Sequence, residues 1–181
     1  MYRAVAILAK SISSERQLEH ALRDARIDFD ERGGVCLNGV CIQSEIGQPE
    51  IALKASELSA LPFVREHLVA VQREIGKLGA VVLEGRDIGT VVFPDAELKV
   101  FLVADASARA ERRLHELEAS GQHLELEEMK RQLIERDTRD RERTISPLVK
   151  ASDAIELDTT HLTIEEQVAR VVTLAKARIA A

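Results

Sequence analysis

Two stretches concentrate side chains that grip phosphate and read hydrogen-bonding groups. ERDTRDRER, residues 135–143, holds four arginines and four acids, with Thr138 the only neutral residue. A solvated helix is served as well by lysine. Arginine is the better choice where a planar or phosphorylated group must be held by a two-pronged donor. In a helix Arg136, Asp140 and Arg143 follow i, i+4, i+7 and share one face, while Arg139 and Arg141 point away. Two guanidinium forks suit a phosphate, and a carboxylate suits a sugar hydroxyl. The same segment also fits a solvated helix laced with ion pairs such as Glu135–Arg139. In EGRDIGT, residues 84–90, Gly85, Arg86 and Asp87 stand directly after an apolar run. There Arg86 can hold a phosphate, Asp87 can accept from an exocyclic amino group such as that of cytosine, and Gly85 permits a close approach. The competing reading is an Arg–Asp pair that closes a turn.

Weaker signals lie elsewhere. Arg112 and Arg113 are adjacent on a helical stretch before EASGQH, a placement that suits a lid over phosphates, though a solvated face is the commoner explanation. Ser56, in KASELS, reads first as a helix-region serine. The five histidines are scattered without spaced carboxylate or cysteine partners, so no metal site is expected. Cys36 and Cys41 flank Asn38-Gly39 in VCLNGVC, a two-residue hairpin signal that sets Leu37 opposite Val40 and Cys36 opposite Cys41. Two free thiols are expected. The lack of nearby histidine speaks against zinc.

The elements that must position these residues alternate. MYRAVAILAKS reads as a short helix, and Ser14 with Gln17 as a capping box opening a second helix through about Leu22. Short antiparallel strands and turns follow from Ile27 to Ile42. Pro62 suits the first turn of a long helix carrying Phe63, Leu68, Val71, Ile75 and Leu78, closed by Gly79. AVVLEG, LKVFLVA and DAIELDT read as sheet strands, the first two as continuous apolar runs buried on both faces of a parallel sheet. Residues 107–118 and 124–143 read as helices. Thr163 and Glu166 form a capping box for a last helix ending near Ile179. The expected class is α/β, with ligands bound beyond the carboxyl ends of the strands, at Arg86 and Asp87 and at Thr159 and Thr160.

Composition narrows the function classes. A chain of 181 residues with 45% hydrophobic content fits one domain, here 1–181, with a small insert over 27–55 and a lid with its following helix over 107–143. The net charge of −6, the 3% aromatic content and the absence of Trp argue against a nucleic-acid partner. No apolar run approaches the roughly 20 residues that span a membrane, and no signal peptide opens the chain. A cytoplasmic monomer without a membrane partner is expected.

Together MYRAVA, LPFVRE, EGRDIGTVVFPDA, RAERRLHEL, ERDTRDRERTISPL and ASDAIELDT resemble the bacterial cytidylate kinases, nucleoside monophosphate kinases of the P-loop class. The resemblance covers essentially the whole chain. It implies a three-layer α/β fold with a parallel sheet and a small antiparallel insert, and transfer of the ATP γ-phosphoryl group to CMP or dCMP with Mg2+. By position, Arg3, Arg86 and Arg143 resemble the family's grip on the acceptor phosphate. Ser56, Arg65 and Asp87 resemble its cytosine readers, Arg136 and Asp140 its ribose contacts, and Arg112 and Arg113 its lid arginines over the donor phosphates. An aspartate that reads the cytosine amino group would disfavour uracil, which presents a carbonyl there.

The chain departs from the family in two places. No GxxxxGK[ST] occurs anywhere in it, so an N-terminally truncated kinase, lacking the strand–loop–helix unit that cradles ATP and Mg2+, is expected to be inactive alone. Loss of that central strand would leave its neighbours with unpaired edges. Gly47 in SEIGQP also stands where the family commonly carries arginine. The alternatives are a non-catalytic nucleotide-binding or oligomerisation partner and a uridylate or adenylate kinase relative.

Overall fold

Residues 1–77, 79–119 and 121–180 are described by the computed structural model, which divides into two units, Met1–Val81 and Val82–Ala181. The first unit is helical around a short sheet. Its α1 (Tyr2–Leu8) continues as a single 3-10 turn, Ala9–Ser11, and α2 spans Glu15–Asp24. The Ser14 hydroxyl accepts from Gln17 N, and Ser13 N donates to the Gln17 side chain, so two donors at the start of α2 are satisfied. Ala4, Val5 and Ala6 of α1 are buried against the helix Pro49–Leu58, and the core continues through Leu22, Ile51, Val64 and Leu68.

Strands β1 (Ile27–Phe29), β2 (Val35–Leu37) and β3 (Val40–Cys41) form an antiparallel sheet in that order. Leu37 faces Val40 and Cys36 faces Cys41, the register that Asn38-Gly39 dictates. Both turn residues have positive φ, 51° and 81°, as a type I′ turn requires. Asn38 is also tied to Arg26, whose N donates to the Asn38 side chain. The cysteines are free thiols. Burial, then the neighbouring Cys41 and the Asp30 carboxylate, push the Cys36 thiol up.

Helices α3 (Gln43–Ile46) and α4 (Pro49–Leu58) follow, where the sequence suggested only an insert. Pro49 opens α4 at a position where its missing N–H costs nothing, and Ile51, Ala55 and Leu58 bury one face. Helix α5 (Pro62–Gly76) begins at Pro62 as expected, but its buried stripe is Val64, Arg65, Leu68 and Gln72. Phe63, Val71 and Ile75 are only half-buried, and Leu78 lies outside the described residues. The helix stops at Gly76, before Gly79, which takes a left-handed φ of 71°.

AVVLEG is not a strand, contrary to the sequence reading. Ala80 is left-handed at φ 49°, and Val82 is 96% exposed. A parallel strand exists only in a ladder. Among the described residues β4 (Val100–Val103) pairs with β5 (Ile155–Asp158) alone, in parallel, with Val100 opposite Ile155 and Val103 opposite Asp158. The expectation that β4 is covered on both faces also fails, since Leu102 is 56% exposed. The crossover between these strands is α6 (Ala106–Ala119) and α7 (Leu126–Glu142), packed on each other. Thr159 extends the ladder, its N and Oγ1 both donating to Val103 O. Helix α8 (Ile164–Ile179) carries the expected capping box, with Thr163 and Glu166 reciprocally bonded.

Candidate functional site

In the second unit the chain after Glu84 turns sharply. Gly85 is required by packing, because a Cβ there would lie 2.8 Å from Ile88 Cγ1. Ile88–Val92 forms one π-helical turn, in which Phe93 N donates to Ile88 O at 2.7 Å and Asp87 O accepts from Val91 N at 2.9 Å and Val92 N at 3.3 Å. Such turns often occur at functional sites. Here the turn fixes the backbone of Asp87 and leaves its side chain to point elsewhere.

That side chain meets the arginine-dense helix. Arg86 Nε lies 3.1 Å from Asp140 Oδ2, Arg143 Nη1 is 3.6 Å from Asp140 Oδ1, and Arg143 Nη2 is 4.0 Å from Asp87 Oδ1. The result is a chain of alternating charge, Arg86–Asp140–Arg143–Asp87, in which both acids are buried. Arg143 stands one residue past the end of α7, in extended conformation, and its Nε donates to Ser146 O. Asp140 O accepts from Leu148 N at 2.7 Å, which folds the following loop back onto the helix. Arg136 is half-buried one turn before Asp140, whereas Arg139 and Arg141 are exposed. Two buried carboxylates beside two guanidiniums give each fork a fixed direction, an arrangement that suits a tetrahedral anion.

A second ion pair joins α7 to α6 and escaped the sequence reading. Arg109 of α6 makes a two-pronged contact with Asp137 of α7, beside a hollow of about 240 Å³ bounded by Ala104, Asp105, Thr138 and Arg141 at the carboxyl end of β4. Burial pushes the Asp137 carboxyl up, but the Arg109 hydrogen bond and charge, with help from Arg86 and Arg141, hold it below the usual 3.8. The pair's contribution is therefore complete above that pH and is lost as pH falls through the lower folded value. Asp137→Asn is expected to cost about 2 kcal/mol at neutral pH. It should also flatten the fall of Tm below about pH 4. Thermal unfolding of both proteins across pH 3–7 measures this, and parallel Tm–pH curves would contradict it.

Arg112 is directed inward. Its guanidinium donates to Thr159 O, Thr160 O and Leu162 O, pinning the β5–α8 loop to α6. Thr160 Oγ1 meanwhile accepts from Asp105 N at 3.0 Å, so the threonines beyond β5 knit the loops together. Arg113 pairs with Glu116. In the first unit Arg3 donates to Ile46 O at 2.7 Å. Arg65 is buried, donates to Ser59 O and lies over the Tyr2 ring at 5.6 Å. Ser56, half-buried on α4, accepts from the Ser59 hydroxyl through its carbonyl. Gly47 ends α3 with open space where a Cβ would be. Among the described residues no helix is long and apolar enough to cross a membrane.

The chain is 44% identical to the cytidylate kinase of Thermotoga neapolitana over 185 residues, covering 99% of this chain and 84% of that protein. It is 44% identical to the cytidylate kinase of Thermosipho melanesiensis, covering 97% and 82%, and 44% identical to that of Bacteroides fragilis, covering 92% and 78%. The family model for cytidylate kinase matches residues 1–177. With its α/β fold of the P-loop nucleoside monophosphate kinase class, the chain belongs to the cytidylate kinase family.

Proposed function

We propose that this chain supplies the CMP or dCMP site for a phosphoryl transfer from ATP that gives CDP or dCDP, and that these 181 residues, which contain no GxxxxGK[ST], do not complete the transfer alone. The observation that carries this reading is the chain of charge Arg86–Asp140–Arg143–Asp87. In the second unit Arg86 and Arg143, already aimed by buried carboxylates, take the acceptor phosphate, Arg136 and Asp140 take the ribose, and Asp87 reads the cytosine edge. Within the first unit, the family resemblance gives Arg3 to phosphate and Ser56 and Arg65 to the base. Phosphoryl transfer depends on positioning and on neutralising charge more than on a strong base, and pre-aimed guanidiniums do both. The family resemblance gives Arg112 and Arg113 to the donor phosphates. In this conformation Arg112 holds the carbonyls of Thr159, Thr160 and Leu162, so that role requires it to exchange those contacts for phosphate oxygens.

ATP is the donor the family implies, and Mg2+ its usual companion. Mg2+ takes oxygen ligands, commonly one or two carboxylates with water and the phosphates of the nucleotide. The Asp87 and Asp140 carboxylates face guanidiniums, so the ion would be held chiefly through the phosphates of ATP.

Base selection is tested at Asp87. A carboxylate accepts from the amino group of cytosine and repels the carbonyl of uracil. Asp87→Asn should therefore weaken CMP about tenfold while leaving UMP unchanged or improved, a difference of about 1.4 kcal/mol. Calorimetric titration of both nucleotides measures it. Equal losses for CMP and UMP would make Asp87 a structural partner of Arg143 instead.

A further inference from the structure

The sheet of the first unit carries a cluster that the nucleotide chemistry does not use. Cys36 and Cys41 are directly opposed across β2 and β3. The flanking pair, Val35 and Ile42, is hydrogen-bonded through Ile42 N to Val35 O, so the cysteines occupy the non-hydrogen-bonded position where cross-strand side chains are closest. A third donor comes from the loop between β1 and β2. Asp30 O accepts from Gly33 N and Asp30 N donates to Gly34 O, closing a tight turn with Gly33 at φ 78°. Asp30 Oδ1 accepts from Arg32 N at 2.9 Å and Gly34 N at 2.7 Å. Its other oxygen, Oδ2, lies 3.8 Å from Cys41 Sγ. A Cβ at residue 34 would fall 2.6 Å from that oxygen, so glycine there is what lets the carboxylate occupy this place.

We propose that Asp30, Cys36 and Cys41 bind a soft divalent cation of the zinc class, with water as the fourth ligand. One donor atom from each of the three residues lies within 4.8 Å of the others. With Zn–S near 2.3 Å and Zn–O near 2.1 Å, tetrahedral ligands stand about 3.5–3.8 Å apart. The Cys41–Asp30 separation already matches this, and the remaining adjustment is within the reach of a side-chain rotation. Two sulfurs and one oxygen select zinc or cobalt over magnesium or calcium, which require a shell of oxygens. The carboxylate also favours a cation over a disulfide. It contributes nothing to an S–S bond, and its charge beside two thiols is balanced by a metal. Bound there, the ion would clip the 30–34 loop onto the hairpin.

Cobalt is the spectroscopic probe. The full chain, kept reduced with a phosphine and stripped of metal, is titrated with Co2+ and then with Zn2+. One equivalent of Co2+ should produce a thiolate charge-transfer band with the strong visible bands of tetrahedral cobalt, and Zn2+ should displace it. Cys41→Ser, at an exposed position, should abolish the charge-transfer intensity from that sulfur and weaken binding at least a hundredfold. Asp30→Asn keeps an oxygen for the two backbone N–H groups and should weaken Co2+ at least tenfold with an unchanged far-ultraviolet circular dichroism spectrum. Absence of a thiolate band in the reduced chain would overturn the assignment. So would equal affinity in Asp30→Asn, or a chain that closes a Cys36–Cys41 disulfide in air and binds no cobalt once reduced.

Discussion

Given CMP, ATP and Mg2+, the 181-residue polypeptide is expected to form no measurable CDP. The donor phosphates of such a reaction need a dense set of preorganised donors. In P-loop enzymes these are backbone N–H groups, a lysine and a hydroxyl that holds Mg2+. No GxxxxGK[ST] occurs in these residues, and side-chain guanidiniums do not reproduce its row of backbone N–H donors or its Mg2+-holding hydroxyl. Losing one preorganised donor at a transition-state charge costs on the order of 3 kcal/mol, about a hundredfold in rate. With no such cradle among these residues the rate should be lower by at least about ten-thousandfold. Joining a strand–GxxxxGK[ST]–helix unit to the chain should confer turnover and, by offering a strand neighbour, draw AVVLEG into a ladder. Amide exchange at Val81–Leu83 should then slow together with the gain of CDP formation. Steady CDP production by the unextended polypeptide would show that another segment cradles ATP.

AVVLEG also shows where sequence reading stops. Its apolar content is that of a buried strand, but a strand is a property of its neighbours, and no neighbour pairs with it among the described residues. Local features were legible because local chemistry decides them. Asn38-Gly39 sets the hairpin register through positive φ, and Ser14 and Thr163 start helices through side-chain bonds to nearby backbone N–H groups. The i, i+4 and i+7 spacing anticipated that Asp140 and Arg143 lie together, because a helix face is local as well, although Arg143 itself stands one residue past α7. It did not reveal the Arg109–Asp137 pair, whose partners are 28 residues apart on two helices. It also did not reveal Asp30 beside the cysteines, which depends on a five-residue turn bringing a carboxylate under a hairpin. The π-helical turn after Asp87 left no signal either, since i+5 bonds impose no apolar period of their own. Helix α4 could have been read, because Ile51, Ala55 and Leu58 repeat with helical spacing behind Pro49.

Arg143→Lys should weaken CMP binding by about thirtyfold, roughly 2 kcal/mol, although it conserves charge. The side chain stands just past the end of α7. Its Nε is committed to Ser146 O, one terminal nitrogen faces Asp140 and the other faces Asp87. Three directions are thus fixed by one planar group. Lysine offers a single ammonium on a flexible stem and cannot keep them all. An ammonium turned to Asp140 gives up the contact with Asp87, and one turned to Asp87 gives up the contact with Asp140. Either way the acceptor phosphate loses a two-pronged donor, and the carboxylate that reads the base is no longer held. The loss should therefore fall on affinity for CMP and on discrimination against UMP together. Arg139→Lys is the control on the same helix. Its side chain is exposed and bonds only weakly to the Glu135 carbonyl, at 3.4 Å, so its titration with CMP should match the parent. If Arg143→Lys bound CMP like the parent, Arg143 would be no more than a helix-end tether for the loop through Ser146. If Arg139→Lys lost affinity instead, the ligand-facing side of α7 would be the one that the structure exposes to solvent.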